Sequence, residues 1–225
     1  MKKLLAPLLA FTLLCATAAA APLTDFHNNT FQIDVGFCPI VSQSGTNASG
    51  PVIMPNVSDY SGNLTYAFTD FVALRLGMTS LTNSTVSWNN IDTGVLGLTQ
   101  ANLQVVVNPS EYIQPFFGLQ YAVSNFQNQT GGNWKNLDYK QTGICGGLQL
   151  TLPLTDLFKL NANGMYGTYF SSAYAGITLC LFGQLDIDGG YVYEYYNTGS
   201  LDDSPLGAPT SVSAQGLRMG VSLRI

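Results

Sequence analysis

The sequence predicts an all-β chain closed into an antiparallel transmembrane β-barrel of about ten strands, with eight as the alternative. Three observations predict it. Short segments alternate apolar and polar residues over most of the length. Charged residues make up only 9% of the chain while aromatic residues make up 12%, and the final strand ends on a hydrophobic residue, Ile225. Side chains of a strand point to opposite faces at period two, so such alternation describes a ribbon with one apolar and one polar face. A soluble domain usually carries about 25% charge. A chain with so little has part of its surface covered by something other than water, and lipid is the simplest candidate.

The first twenty residues read as a cleaved export signal. Met1-Lys2-Lys3 is a positive start, Leu4 to Leu14 is apolar, and Ala18-Ala19-Ala20 offers the small residues a signal peptidase needs. The apolar run is shorter than the roughly 20 residues of a helical membrane span, and Leu14 before Cys15 fits a lipoprotein cleavage box poorly. The expected division is therefore a leader over 1–20 and a barrel domain over 21–225.

Within the barrel domain, alternation bounded by turn residues marks ten segments. Phe31 to Ile40 sets Phe31, Ile33, Val35 and Phe37 against Gln32, Asp34, Gly36 and Cys38. Asn63 to Thr69 and Val72 to Thr79 form a hairpin around Thr69-Asp70-Phe71. Thr93 to Val107 sets Gln100, Asn102 and Gln104 against Ala101, Leu103 and Val105, and Asn108-Pro109-Ser110 turns the chain into Tyr112 to Val123. Gln141 to Leu152 is followed by a tight turn at Pro153 to Asp156 and then by Leu157 to Tyr169. Ala173 to Phe182, Leu185 to Tyr196 and Ala214 to Ile225 complete the set. Pro115 falls inside a segment and removes a ladder donor, for which a bulge is expected. If the 63–79 hairpin were a loop element, the count would fall to eight.

The connections alternate too. Segments 41–62, 80–92, 124–140 and 197–213 are long and rich in Asn, Ser, Thr and Gly, whereas the intervening turns are short. Only the connection at Phe170 to Ser172 breaks the rhythm. Short turns on one side and long loops on the other describe a barrel in an outer membrane, and an even strand count returns the C-terminus to the side on which the chain began.

The last residues carry the most specific likeness. Arg218 to Ile225 places Met219, Val221, Leu223 and Ile225 on one face, and the spacing Gly220, Leu223, Ile225 resembles the C-terminal assembly signal of bacterial outer-membrane β-barrels. The chain as a whole resembles the small outer-membrane barrel superfamily, the OmpA-type and porin-like barrels. That resemblance implies outer-membrane lipid and the barrel-insertion machinery as partners, and a structural or surface-interaction role. A narrow porin-like channel for passive diffusion of small solutes is the second hypothesis, and a soluble secreted β-protein the third.

If the apolar faces meet lipid, the polar faces line the lumen. They bring Asp34, Arg75, Lys159, Asp186, Asp188, Glu194, Arg218 and Arg224 inside, where Asp34, Asp186 or Glu194 can pair with Arg218 or Arg224 once the first and last strands close the barrel. Paired charges describe a filled interior rather than an open pore. No catalytic, cofactor or metal site is expected. The single histidine, His27, precedes the first strand, and neither Asp186-x-Asp188 nor Asp202-Asp203 has a second catalytic residue type beside it. Cys38, Cys145 and Cys180 are expected as free thiols on lumen faces, the first two near the outer rim. A net charge of −5, with Lys2 and Lys3 in the leader, excludes nucleic acid as a partner. The loops at 41–62, 80–92, 124–140 and 197–213 are the expected place for any extracellular ligand.

Overall fold

A computed structural model describes residues 29–47, 50–88, 91–130, 133–181, 184–198 and 209–225. The expected leader, His27 and Asp202-Asp203 lie outside these residues. Eleven strands follow one another: β1 (Phe31–Asn47), β2 (Gly50–Val52), β3 (Val57–Ala67), β4 (Val72–Trp88), β5 (Ile91–Val107), β6 (Ile113–Thr130), β7 (Asn133–Pro153), β8 (Phe158–Gly167), β9 (Phe170–Leu181), β10 (Leu185–Asn197) and β11 (Ser211–Arg224). All but β2 run consecutively around the wall, and β1 pairs with β11, so the sheet closes as a ten-strand antiparallel barrel. Closure leaves no free edge around the ring. The hairpin of β3 and β4 is part of the wall, which removes the eight-strand alternative.

The structure corrects the expected loops. β6 and β7 pair without interruption from Ile113↔Leu150 to Thr130↔Asn133. β4 pairs with β5 up to Trp88↔Ile91. Segments 80–92 and 124–140 are thus mostly strand, because Thr, Ser, Asn and Val there keep the two-residue alternation, and a continuous ladder satisfies their backbone groups. Segment 41–62 likewise contains the end of β1, the extra strand β2 and the start of β3. β2 adds to the far end of β1 through Gly45↔Val52 and Asn47↔Gly50. β4 to β7 rise beyond β8, whose pairing with β7 stops at Cys145↔Gly167.

Two prolines are accommodated differently. At Pro39-Ile40 the register of β1 shifts against both β3 and β11. This bulge lets β1 run past Ile40, where the alternation first breaks. Pro115 needs no bulge and sits in register opposite Leu148. Thr151 N–H donates to Tyr112 O at 2.9 Å, so residues 112 and 114 exchange bonds with β7 and the Pro115 nitrogen turns toward β5. There the ladder ends at Val106↔Phe116.

Two turns at the end where β1 begins and β11 ends share one device. Thr69 Oγ1 accepts the N–H of Phe71 at 3.2 Å and of Val72 at 3.1 Å, and Thr155 Oγ1 accepts those of Leu157 at 3.2 Å and Phe158 at 3.0 Å. Each lies in the same local sequence, Thr-Asp followed by two apolar residues, and the hydroxyl fixes the turn as a side-chain mimic of a backbone acceptor.

The distribution of side chains is inverted relative to a soluble protein. Leu74, Leu76, Met78, Phe117, Leu119, Ile144, Leu148 and Leu150 point outward and are exposed, while Gln32, Gln100, Gln114, Gln120 and Gln149 are fully buried in the interior. At the far end, opposite the start of β1 and the end of β11, the interior turns apolar: Val41, Met54, Val86, Leu96, Phe126 and Val212 pack together inside the extended strands.

Candidate functional site

The interior residues are brought together by strand pairing. Asp34 on β1 and Asp186 on β10 both stand opposite Ser222 of β11, and Glu194 of β10 stands opposite Ala214. The barrel curves these rows toward a common axis, so groups far apart in sequence face each other across a narrow lumen.

Arg218 is the hub. Its guanidinium forms ion pairs with Asp59 and with Glu194, the latter at 2.6 Å. The second oxygen of Glu194 accepts the hydroxyl of Tyr196 at 3.1 Å, and Tyr174 donates its hydroxyl to Asp188 at 2.8 Å. Nearer the terminal end, Arg224 pairs with Asp186, and Gln32 donates to Asp34. Arg75 reaches Thr65 at 3.4 Å and crosses the lumen to Gln149 at 3.0 Å. From Gln149 a relay runs through Gln114 to Asn108 in the β5–β6 turn. Buried charges are tolerated only when paired and hydrogen-bonded, and most of these carboxylates and guanidiniums are so bound.

Of the eight charges expected in the lumen, Arg218, Glu194, Asp186 and Arg224 are joined in ion pairs. Asp34, Asp188 and Arg75 are buried and held by neutral partners. Lys159 is half-buried near the start of β8. Asp59, the second partner of Arg218, falls in a segment that composition marks as loop. Its signal is the spacing Asp59, Ser61, Asn63, Thr65, which extends the polar face of β3 by period two. Gln120 is a further interior residue of consequence. It donates to Phe170 O at 2.9 Å and accepts the N–H groups of Tyr169 at 2.9 Å and Phe170 at 3.2 Å. One buried amide thereby holds the short β8–β9 connection that breaks the loop rhythm.

Cys38 and Cys145 are free and buried, and Cys180 is free and half-buried. The first two do not lie at a rim. β1 runs on to Asn47 and β7 begins at Asn133, so both occupy the middle of their strands.

An interior of paired charges and glutamines inside an apolar exterior defines a barrel built for a nonpolar surround. The similarities of the fold agree. No protein-family model and no curated protein matches the chain. Among solved structures, it is similar to the translocator domain of autotransporter NalP from Neisseria meningitidis (13% identity, 88% of this chain and 89% of that one, TM-score 0.51). It is also similar to the outer membrane protease OmpT from Escherichia coli (9% identity, 92% and 100%, TM-score 0.51). The attachment invasion locus protein Ail of Yersinia pestis superposes at TM-score 0.45, with 14% identity over 88% of this chain and 99% of that one. The chain has the fold of outer-membrane β-barrels.

Proposed function

We propose that the chain is an integral protein of the bacterial outer membrane, exported through the leader at 1–20, with a structural or surface-interaction role and a lumen too filled to conduct. The observation that carries this reading is the inversion of the wall, with an exposed band of Leu, Phe, Ile and Met outside and buried Gln, Asp and Arg inside. A tilted membrane strand needs about 9–11 residues. β6 and β7, at 18 and 21 residues, are long enough to cross and then continue beyond the far face. That face is the one expected to meet the exterior, because short turns mark the periplasmic side.

The lumen is obstructed twice, by the Arg75–Gln149–Gln114 crossing toward the terminal end and by the apolar packing around Val86, Leu96 and Phe126 at the far end. The acids that a catalytic role would draw on are bound instead to arginines, tyrosines or an amide, which favours a non-enzymatic role. An extracellular partner would meet the extended β4–β5 and β6–β7 hairpins. The Gly220, Leu223, Ile225 spacing lies on the strand that seals the barrel against β1 and is the feature the insertion machinery would read.

The test is planar-bilayer conductance of the detergent-folded protein, once its heat-dependent gel shift has established a folded barrel. Electrical silence is the expected result. A stable, reproducible conductance would replace the filled-lumen reading with a narrow solute channel.

A further inference from the structure

The β6–β7 hairpin rises past its neighbour and leaves one strand edge bare. β7 pairs with β6 from Asn133 to Leu150, yet its pairing with β8 stops at Cys145↔Gly167. The short β8–β9 connection, clamped by Gln120, turns back just above that point. Its last bonds to β7 fall on Ile144, whose carbonyl accepts the Thr168 N–H at 3.1 Å and whose N–H donates to Thr168 Oγ1 at 3.2 Å. Main-chain groups alternate sides along an antiparallel strand. Trp134, Asn136, Asp138, Lys140 and Thr142 therefore turn theirs the same way as Ile144, and no described strand pairs with them. An unpaired edge is a template for another strand, and an extended main chain is the ligand whose donors and acceptors match its spacing.

Charge and register say which strand. Asp138 and Lys140 are exposed on the outward face of this edge, and neither has an ion pair or hydrogen bond from its side chain among the described residues. The bare edge runs from Asn133 to Ile144 and so can overlay almost its whole length on the same edge of another copy. Main-chain bonding requires even-numbered residues opposite even-numbered ones, which leaves two such registers. One is centred on Asp138 and sets that carboxylate against itself. The other is centred on Tyr139 and sets Asp138 of each copy against Lys140 of its partner, with Asn136 against Thr142. Opposite charges directly across a strand pair are stabilising and like charges destabilising.

We propose that this edge pairs antiparallel with the same edge of a second copy, about a two-fold axis through Tyr139. The contact is self-complementary, as a two-fold interface must be, and it gives the surface-interaction role proposed above a partner. Two barrels inserted the same way in one membrane run β7 in the same direction. Antiparallel pairing therefore joins copies held in facing membranes. That consequence rests on the membrane reading, whereas the pairing itself does not.

The experiment is sedimentation equilibrium of the detergent-folded barrel. The wild type is expected to form a concentration-dependent dimer, and Asp138→Lys and Lys140→Asp each to remain monomeric. An equimolar mixture of the two variants is expected to dimerise again, since each supplies the charge the other lacks, which shows that both are folded. Tyr139 and its copy would lie about 4.5 Å apart between Cα atoms, within disulfide reach. Tyr139→Cys is thus expected to crosslink on oxidation, above the wild-type baseline, while Thr142→Cys does not. A wild type that is monomeric at every concentration, dimers that survive either single charge reversal, or crosslinking through Thr142→Cys in place of Tyr139→Cys overturns the proposal. Vesicles carrying the wild type are expected to clump and those carrying Lys140→Asp to stay dispersed. Flotation of the protein with its vesicles reads membrane insertion separately, so failure to insert and failure to pair are told apart.

Discussion

Truncating Arg218 to methionine strands two buried carboxylates at once, Asp59 and Glu194. Removing one partner of a buried ion pair costs about 3–5 kcal/mol, and a loss of that size is expected in urea unfolding of the refolded barrel. Neutralising the acids in the same chain, with Asp59→Asn and Glu194→Gln, is expected to restore most of it, since the penalty comes from the unpaired charge. A second comparison probes backbone crowding. A Cβ at Gly216 would lie 2.6 Å from both Cys38 Sγ and Ile40 O, whereas one at Gly164 meets nothing within 4 Å. Gly216→Ala should therefore destabilise by about 1–3 kcal/mol through overpacking, and Gly164→Ala should change the same unfolding midpoint little. Single residues were legible in the sequence where alternation named their face, as for Asp34, Arg75, Asp186 and Glu194. Asp59 was not, because its neighbours are the small polar residues that also make loops. Which base meets which acid follows from register and curvature, and neither is written in one strand alone.

Strands were legible in existence and order, while their ends were not. Alternation identified all ten wall strands, but it lost the outer halves of β4, β6 and β7, where Ser, Thr and Asn replace the apolar outward face once the wall has left its nonpolar surround. The bulge expected at Pro115 is absent, and β1 instead carries one at Pro39-Ile40, through which it continues. Pro115→Val is accordingly expected to leave unfolding within about 0.5 kcal/mol of wild type, as for substitutions away from packed or bonded features. The two Thr-Asp turns allow a sharper test. Thr69→Val and Thr155→Val each remove two backbone hydrogen bonds. At about 0.5–1.5 kcal/mol per bond, each should lower the unfolding free energy by about 1–3 kcal/mol, and the double variant should show the sum, since separated sites add.

For the whole molecule, composition carried the decisive information: a chain with 9% charged residues can still bury arginines and aspartates if its exterior faces lipid. What composition did not reveal is that the interior changes character along the axis, polar over the crossing half and apolar at the far end. A peptide tag inserted at 131–132, between β6 and β7, is expected to be reached by antibody on intact cells, and labelling only after the envelope is opened would reverse the assigned orientation. The apolar far end has a further consequence. Strands that have crossed a bilayer and then locked Val86, Leu96, Phe126 and Val212 together beyond it resemble a rivet whose head is formed after the shank has passed through. Withdrawal would require breaking that head and then drawing polar hairpins back through hydrocarbon, where unpaired backbone groups each cost several kcal/mol. The barrel would therefore be held in place less by the depth of its free-energy minimum than by the height of the barrier to leaving it.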